Sequence, residues 1–329
     1  MILPELNIIT PGTLAEALRL LREYPNSKPL AGGTDLLVLL KQRTVDCRYL
    51  IDLSGLPELK TVEVKKESVH IGAGITLSEI GENDLIRRNF SALAEAARCV
   101  ATPNLRNMAT LGGNLCLTPR CLYYNQSAFW RESVGWCFKT GGATCFAVPG
   151  SRRCYACFSA DCPPALMALE ADVTIARWGG EGIAERRIPL GSLYREDGLN
   201  PLNLADDEVV TAVQLPLREG IRSTYRKYRL RASIDFPLAG VAVAFGIAGG
   251  GFLNIRIALN ALASSPILAK EAMDLLEGRP YSEEIIEEAV SCLTRRTRPV
   301  RNQEGSPEHR RRMARILFQR GVEKLITVK

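Results

Sequence analysis

Seven of the ten cysteines in this chain, Cys116, Cys121, Cys137, Cys145, Cys154, Cys157 and Cys162, fall within 47 consecutive residues. The sequence between them is rich in Gly, Arg and aromatic residues. It shows neither the 3.6-residue nor the two-residue apolar period of a core-facing helix or strand. Such a stretch has to be organised by something other than an apolar face. Disulfides would need an oxidising compartment. Met1–Thr13 carries no basic region followed by an apolar run, so no signal peptide is read there and a cytoplasmic chain is expected. Reduced cysteines at this density point to metal. The two histidines, His70 and His309, lie far away in sequence, which implies an all-cysteine site. Only Cys154 and Cys157 form a C-x2-C pair, whereas a zinc ribbon would show two. The wide spacings suit an iron–sulfur cluster wrapped by a loop, with zinc and purely structural cysteines as alternatives. Spacing alone does not select four ligands from seven.

The flanking sequence is conventional. Its length suggests two domains. Thr13-Leu-Ala-Glu16 and Thr76-Leu-Ser-Glu79 read as capping boxes that open helices. Residues 36–40 read as helix or strand, 47–53 and 61–72 as strands, and 91–100 and 164–170 as helices. Residues 172–177 and 208–215 read as strands. The pattern changes after a boundary near 218. Strands at 224–231, 238–247 and 252–261 precede helices at 266–277, 282–293 and 307–326, an α+β order. No run of about 18 apolar residues predicts a membrane span. The net charge of +6 owes much to Arg295, Arg296, Arg298, Arg301 and Arg310–Arg312. No aromatic residues interleave with them, so nucleic-acid binding is not expected and a solvated helix face is. With two histidines, a Ser-His-Asp site is not supported either.

Two double-glycine loops stand out: Ala31-Gly-Gly-Thr-Asp-Leu36 and Thr110-Leu-Gly-Gly-Asn114. Glycine pairs admit φ > 0 and close backbone approach, and successive free amides make a nest for phosphate oxygens. Thr34 and Asn114 could add side-chain donors. Neither loop continues as Gly-Lys-Ser/Thr or fits G-x-G-x-x-G, so the P-loop and the standard dinucleotide fold are excluded.

Together these loops resemble the medium, FAD-binding subunits of the molybdenum hydroxylases, a likeness that extends over nearly the whole chain. It implies an α+β protein in two parts. Residues 1–218 would form a two-part FAD-binding domain of mixed α/β type, interrupted by a cysteine-rich insert at 116–160. Residues 219–329 would form a small domain of three antiparallel strands and three helices. The resemblance also implies FAD contacts from Leu30, Ala31, Gly32, Gly33, Thr34, Asp35, Leu36 and Leu37, and from Thr110, Gly112, Gly113 and Asn114. Asp161 would sit near the ribityl or adenosine part, and Lys227 near the flavin ring.

Within that family the insert, with Cys121-Leu-Tyr-Tyr-Asn-Gln126, is similar to that of the 4-hydroxybenzoyl-CoA reductase β subunits. This implies a [4Fe–4S] cluster on Cys121, Cys137, Cys145 and Cys154. It further implies a large molybdenum-cofactor subunit, a small [2Fe–2S] subunit and a dimer of heterotrimers. Electrons would enter from ferredoxin and pass through cluster and FAD toward molybdenum, for reductive dehydroxylation. Arg120, Arg131, Lys139, Arg152 and Arg153 are expected to steer an acidic ferredoxin to the insert. The alternative is the flavin subunit of a xanthine- or aldehyde-type dehydrogenase that passes electrons to NAD.

Overall fold

The computed structural model describes residues 2–327. Near the N-terminus, Asn7–Ile9, Tyr49–Asp52 and Ser27–Leu30 form a parallel sheet in that order. Parallel strands need crossovers: the helix Leu14–Glu23, which buries Leu14, Ala17, Leu18, Leu20 and Leu21, carries the chain from Asn7–Ile9 to Ser27–Leu30, and a second helix returns it to the strand between them. Its cap differs from the expected box. The Thr13 hydroxyl accepts from the Glu16 amide, but the Glu16 carboxylate takes the Gly12 amide instead of that of Thr13. At Thr76 and Glu79 the box is complete. Residues 36–40 resolve as helix, Leu36–Lys41.

A five-stranded antiparallel sheet follows, in the order Val62–Lys65, Ser68–Gly72, Val209–Pro216, Asp172–Trp178, Ile183–Pro189. The segment expected as one strand at 61–72 is therefore a hairpin, turned at Lys66 with φ +55°. Val69, Ile71, Val173 and Val213 of this sheet share a core with Leu77, Ile80, Ile86, Leu93, Leu111 and Leu166 from the intervening helices.

The C-terminal sheet has four strands, not three: Arg222–Tyr228, Ala239–Ala248, Gly251–Asn260 and a two-residue edge strand, Ile267–Leu268. The helix expected at 266–277 accordingly starts later, as Lys270–Leu276. Glu283–Leu293 and Pro307–Thr327 complete the helical layer. Alternation along 239–248 joins the two parts. Val241, Val243 and Phe245 pack with Phe318 and Val322 of the last helix, whereas Ala242 and Ala244 enter the core of the preceding part.

The cysteine-rich insert is closed at its base by reciprocal backbone bonds between Arg120 and Cys157, at 2.8 and 2.7 Å. It contains one helix, Ala128–Val134, and a short turn at Phe138–Thr140. On one side, buried Arg131 donates to the carbonyls of Gln42 (2.7 Å) and Arg43 (3.2 Å), and the Tyr124 hydroxyl donates to the Thr44 carbonyl (3.2 Å). On the other side, the Leu122 amide donates to the Asn302 carbonyl (2.9 Å) and Gln303 donates to the Ser159 hydroxyl (2.9 Å). Arg310, expected on a solvated face, is instead fully buried. It donates to the carbonyls of Leu238 (3.1 Å) and Val300 (3.2 Å) and to the Cys157 sulfur (3.3 Å). No helix among the described residues is long and apolar enough to cross a membrane.

Candidate cofactor sites

The two glycine loops meet. A Cβ on Gly32 would lie 1.7 Å from the Met108 carbonyl oxygen, so Gly32 is required by the approach of one loop to the other. Gly112 likewise backs onto Ala73, where an added Cβ would meet its side chain at 2.9 Å. Gly33 turns the chain at φ +69°. Gly113 has only the Thr110 hydroxyl near its open side, at 3.1 Å. Two of the four glycines thus serve packing, and two shape the wall of the cleft between the loops.

That cleft has a volume of about 1000 Å³. The amides of Ala31–Asp35 donate to no acceptor among the described residues, although buried or half-buried amides are ordinarily paired. They form a run of unpaired donors, with Gly33 in the left-handed region, that could receive an anion. From the second loop, the Thr110 hydroxyl accepts from the Gly113 amide (3.2 Å), and Asn114 Oδ1 accepts from the Cys162 amide (3.1 Å). The second bond ties this loop to Asp161. Asp161 is buried and accepts from the Tyr225 hydroxyl (2.7 Å) and the Lys227 ammonium (2.8 Å). Burial pushes its carboxyl upward while Lys227 pulls it back. Deeper in the cleft, Asp35 faces Arg120. Burial raises the Asp35 carboxyl and lowers the Arg120 guanidinium, each opposed by the other's charge. The guanidinium also lies 4.2 Å over the Phe236 ring.

A second, smaller recess lies in the insert. Cys121, Cys137, Cys145 and Cys154 line it, together with Tyr123, Tyr124, Phe138 and Lys139. Burial pushes the Cys121 thiol up to about 12, and nearby Cys154, Cys145 and Cys137 add to the rise. Four thiols that share one recess would ionise together only with a cation to offset their charge. Among the described residues, no three His, Cys, Asp or Glu side chains stand close enough to hold one metal ion. The other three clustered cysteines are elsewhere. Cys157 is held by Arg310, Cys162 is buried in the central core, and Cys116 packs against that core.

Comparisons with known proteins place the chain in a family. The model for the FAD binding domain in molybdopterin dehydrogenase matches residues 4–218, and that for the CO dehydrogenase flavoprotein C-terminal domain matches residues 223–325. This chain belongs to the FAD-binding medium subunits of the molybdenum hydroxylase family. It is 33% identical over 263 residues to the aldehyde oxidoreductase FAD-binding subunit PaoB of Escherichia coli K12, covering 78% of this chain and 80% of that one. It is 25% identical over 322 residues to the glyceraldehyde dehydrogenase medium chain of Sulfolobus acidocaldarius, covering 98% and 99%. Its fold matches a carbon monoxide dehydrogenase chain from Hydrogenophaga pseudoflava at a TM-score of 0.81 and 24% identity, covering 99% and 98%.

In this FAD-binding subunit, eleven of the fourteen residues expected at the flavin line the cleft: Ala31, Gly32, Gly33, Thr34, Asp35, Leu36, Thr110, Gly112, Gly113, Asn114 and Asp161. Leu30 and Leu37 turn instead into a small apolar cluster with Leu40, Cys47 and Leu50. Lys227 does not line the cleft. Its ammonium is spent on Asp161 and on the Cys99 carbonyl (3.0 Å), behind the wall. Sequence reasoning missed Tyr225 and the role of Arg120, and no local pattern marks either one. Three of the five charges expected to steer ferredoxin face inward: Arg120 into the cleft, Lys139 into the recess and Arg131 onto Gln42. Of the remaining two, Arg152 is exposed and Arg153 pairs with Glu196 at 3.5 Å.

Proposed function

We propose that this chain holds FAD in the cleft and a [4Fe–4S] cluster on Cys121, Cys137, Cys145 and Cys154, as the electron-relay subunit of a molybdenum enzyme of the 4-hydroxybenzoyl-CoA reductase type. One observation carries the reading: of the seven clustered cysteines, these four line a single recess, and the other three are committed elsewhere. In a cubane each thiolate binds a different iron, so the sulfurs stand wider apart than the ligands of one zinc ion. That spacing is compatible with the lack of a mononuclear site. When bound, the flavin would exchange two electrons or one, and the cluster one.

The protein's part is positional. The amides of Ala31–Asp35 would receive the pyrophosphate, and Gly113 would let the dinucleotide lie against the second loop. Arg120 bridges the two sites: its side chain is in the cleft, and the next residue is Cys121. The wider assembly would comprise a large molybdenum subunit and a small [2Fe–2S] subunit, as a dimer of heterotrimers fed by ferredoxin. The Cys121–Gln126 resemblance supports the reductive substrate, 4-hydroxybenzoyl-CoA. A dehydrogenase that oxidises an aldehyde and passes electrons to NAD is the second reading. It is favoured by the relatives' names and by the scarcity of outward basic charge on the insert.

Anaerobic purification with flavin, iron, sulfide and zinc assays tests the cofactors. About one flavin, four iron and four sulfide per chain are expected. Zinc without iron would refute the cluster. Rapid mixing with reduced ferredoxin and with NADH then separates the two readings by which donor bleaches the flavin.

A further inference from the structure

We propose that Lys139 is the built-in counter-charge of the cysteine recess and raises the reduction potential of the group bound there. This rests on the [4Fe–4S] reading above. The half-buried Lys139 side chain lines the recess together with the four thiols. It donates to the Pro119 carbonyl (2.9 Å) and lies 4.4 Å over the Tyr124 ring. No carboxylate pairs with it among the described residues. An ammonium partly withdrawn from water without a carboxylate partner carries a cost that an anion facing it would offset. The sequence supplies that anion only when the thiols are ionised around a metal centre.

The chemistry sets the sign. Four thiolates on a [4Fe–4S]2+ core give a net charge of −2. Uptake of one electron from a low-potential donor gives −3, with no bond made or broken. A fixed positive charge beside the cluster stabilises the more negative form. Lys139 therefore favours the reduced state, and neutralising it favours the oxidised state. A side chain already placed and desolvated pays no reorganisation when the electron arrives.

The test is an EPR-monitored anaerobic titration of the whole protein with dithionite and mediators, alongside iron and sulfide assays. Wild type is compared with Lys139→Met, Lys139→Gln and Lys139→Arg. The neutral variants should shift the reduced-to-oxidised ratio at least tenfold toward oxidised, which is 59 mV downward for one electron. Lys139→Arg should stay near wild type. Where Lys139→Met fails to assemble, Lys139→Gln, which can still donate to Pro119, carries the test. Assembly in Lys139→Arg but in neither neutral variant would support the counter-charge role. A neutral variant that holds four iron at an unchanged potential would overturn this inference and leave the cluster assignment standing. Wild type without iron would overturn both.

Discussion

The sharpest test of the cleft is a pair of alanine substitutions on its two loops. At Gly32 the new methyl group would sit 1.7 Å from the Met108 carbonyl oxygen and 2.5 Å from its carbon, with 3.1 Å to the Ala109 nitrogen. All three neighbours are backbone, so no side chain can swing away. The loops must part by about 1.3 Å before the contact reaches even 3.0 Å. Overpacking of this kind costs about 1–3 kcal/mol. The strain falls on the spacing between the free amides of 31–35 and the second loop, so the loss should appear as flavin affinity weakened by about 5- to 150-fold. Gly113→Ala is the control, because its only close neighbour is the Thr110 hydroxyl at 3.1 Å. It should fold normally in the apo form yet bind flavin poorly, since its methyl group enters the space meant for the dinucleotide. Fluorescence titration of apoprotein with FAD, paired with urea unfolding of the same apoprotein, reads both quantities. If Gly32→Ala bound FAD at wild-type affinity, the idea that loop-to-loop spacing sets the cleft would be wrong.

Three further outcomes follow from the same packing. Lys227→Met leaves Asp161 buried without its cation, a loss of about 3–5 kcal/mol that Lys227→Met with Asp161→Asn should largely recover in urea unfolding. The Asp161 carboxyl is already held above its ordinary value by burial, and losing Lys227 raises it further. A raised native value keeps stability intact below the ordinary carboxylate range and erodes it as pH climbs through the native value, so the single variant should suffer more at pH 8 than at pH 5. Cys154→Ser should lose most of its iron. Cys157→Ala should keep it while costing about 1–3 kcal/mol, because Arg310 loses an acceptor; equal iron loss in both would refute the sorting of the cysteines. Arg131→Met strips donors from the carbonyls of Gln42 and Arg43, and should expose the insert to limited proteolysis without unfolding the C-terminal sheet.

Much of this was legible in the sequence, for local reasons. The Thr76 box, the double glycines and the order of strands then helices after residue 220 are short-range signals, and the chain obeys them. Where reading failed, the deciding partner was distant. The 61–72 hairpin turns at Lys66, a non-glycine residue at φ +55° that nothing nearby announces. Ile183–Pro189 is a mostly exposed edge strand, IAERRIP, whose apolar content is too low to register. Arg120, Arg131, Lys139 and Arg310 read as surface charge because long basic side chains usually are. Their burial depends on carbonyls, a sulfur and an aromatic face contributed from tens of residues away. At the cleft the glycines were found but their duties were not, since only the meeting of the two loops shows that Gly32 answers to Met108.

The bracing of the insert has a consequence for how the protein comes into being. Its cysteines lie between residues 116 and 162, but Asn302, Gln303 and Arg310, which fasten it, come more than 100 residues later in the chain. Until that later segment has been made and has docked, the insert lacks its contacts with Asn302, Gln303 and Arg310. Metal delivered at that stage would meet loose thiols able to pair in any combination. If the recess holds the proposed cluster, its insertion therefore follows the docking of Pro307–Thr327, when Arg310 has drawn Cys157 away from the four that remain.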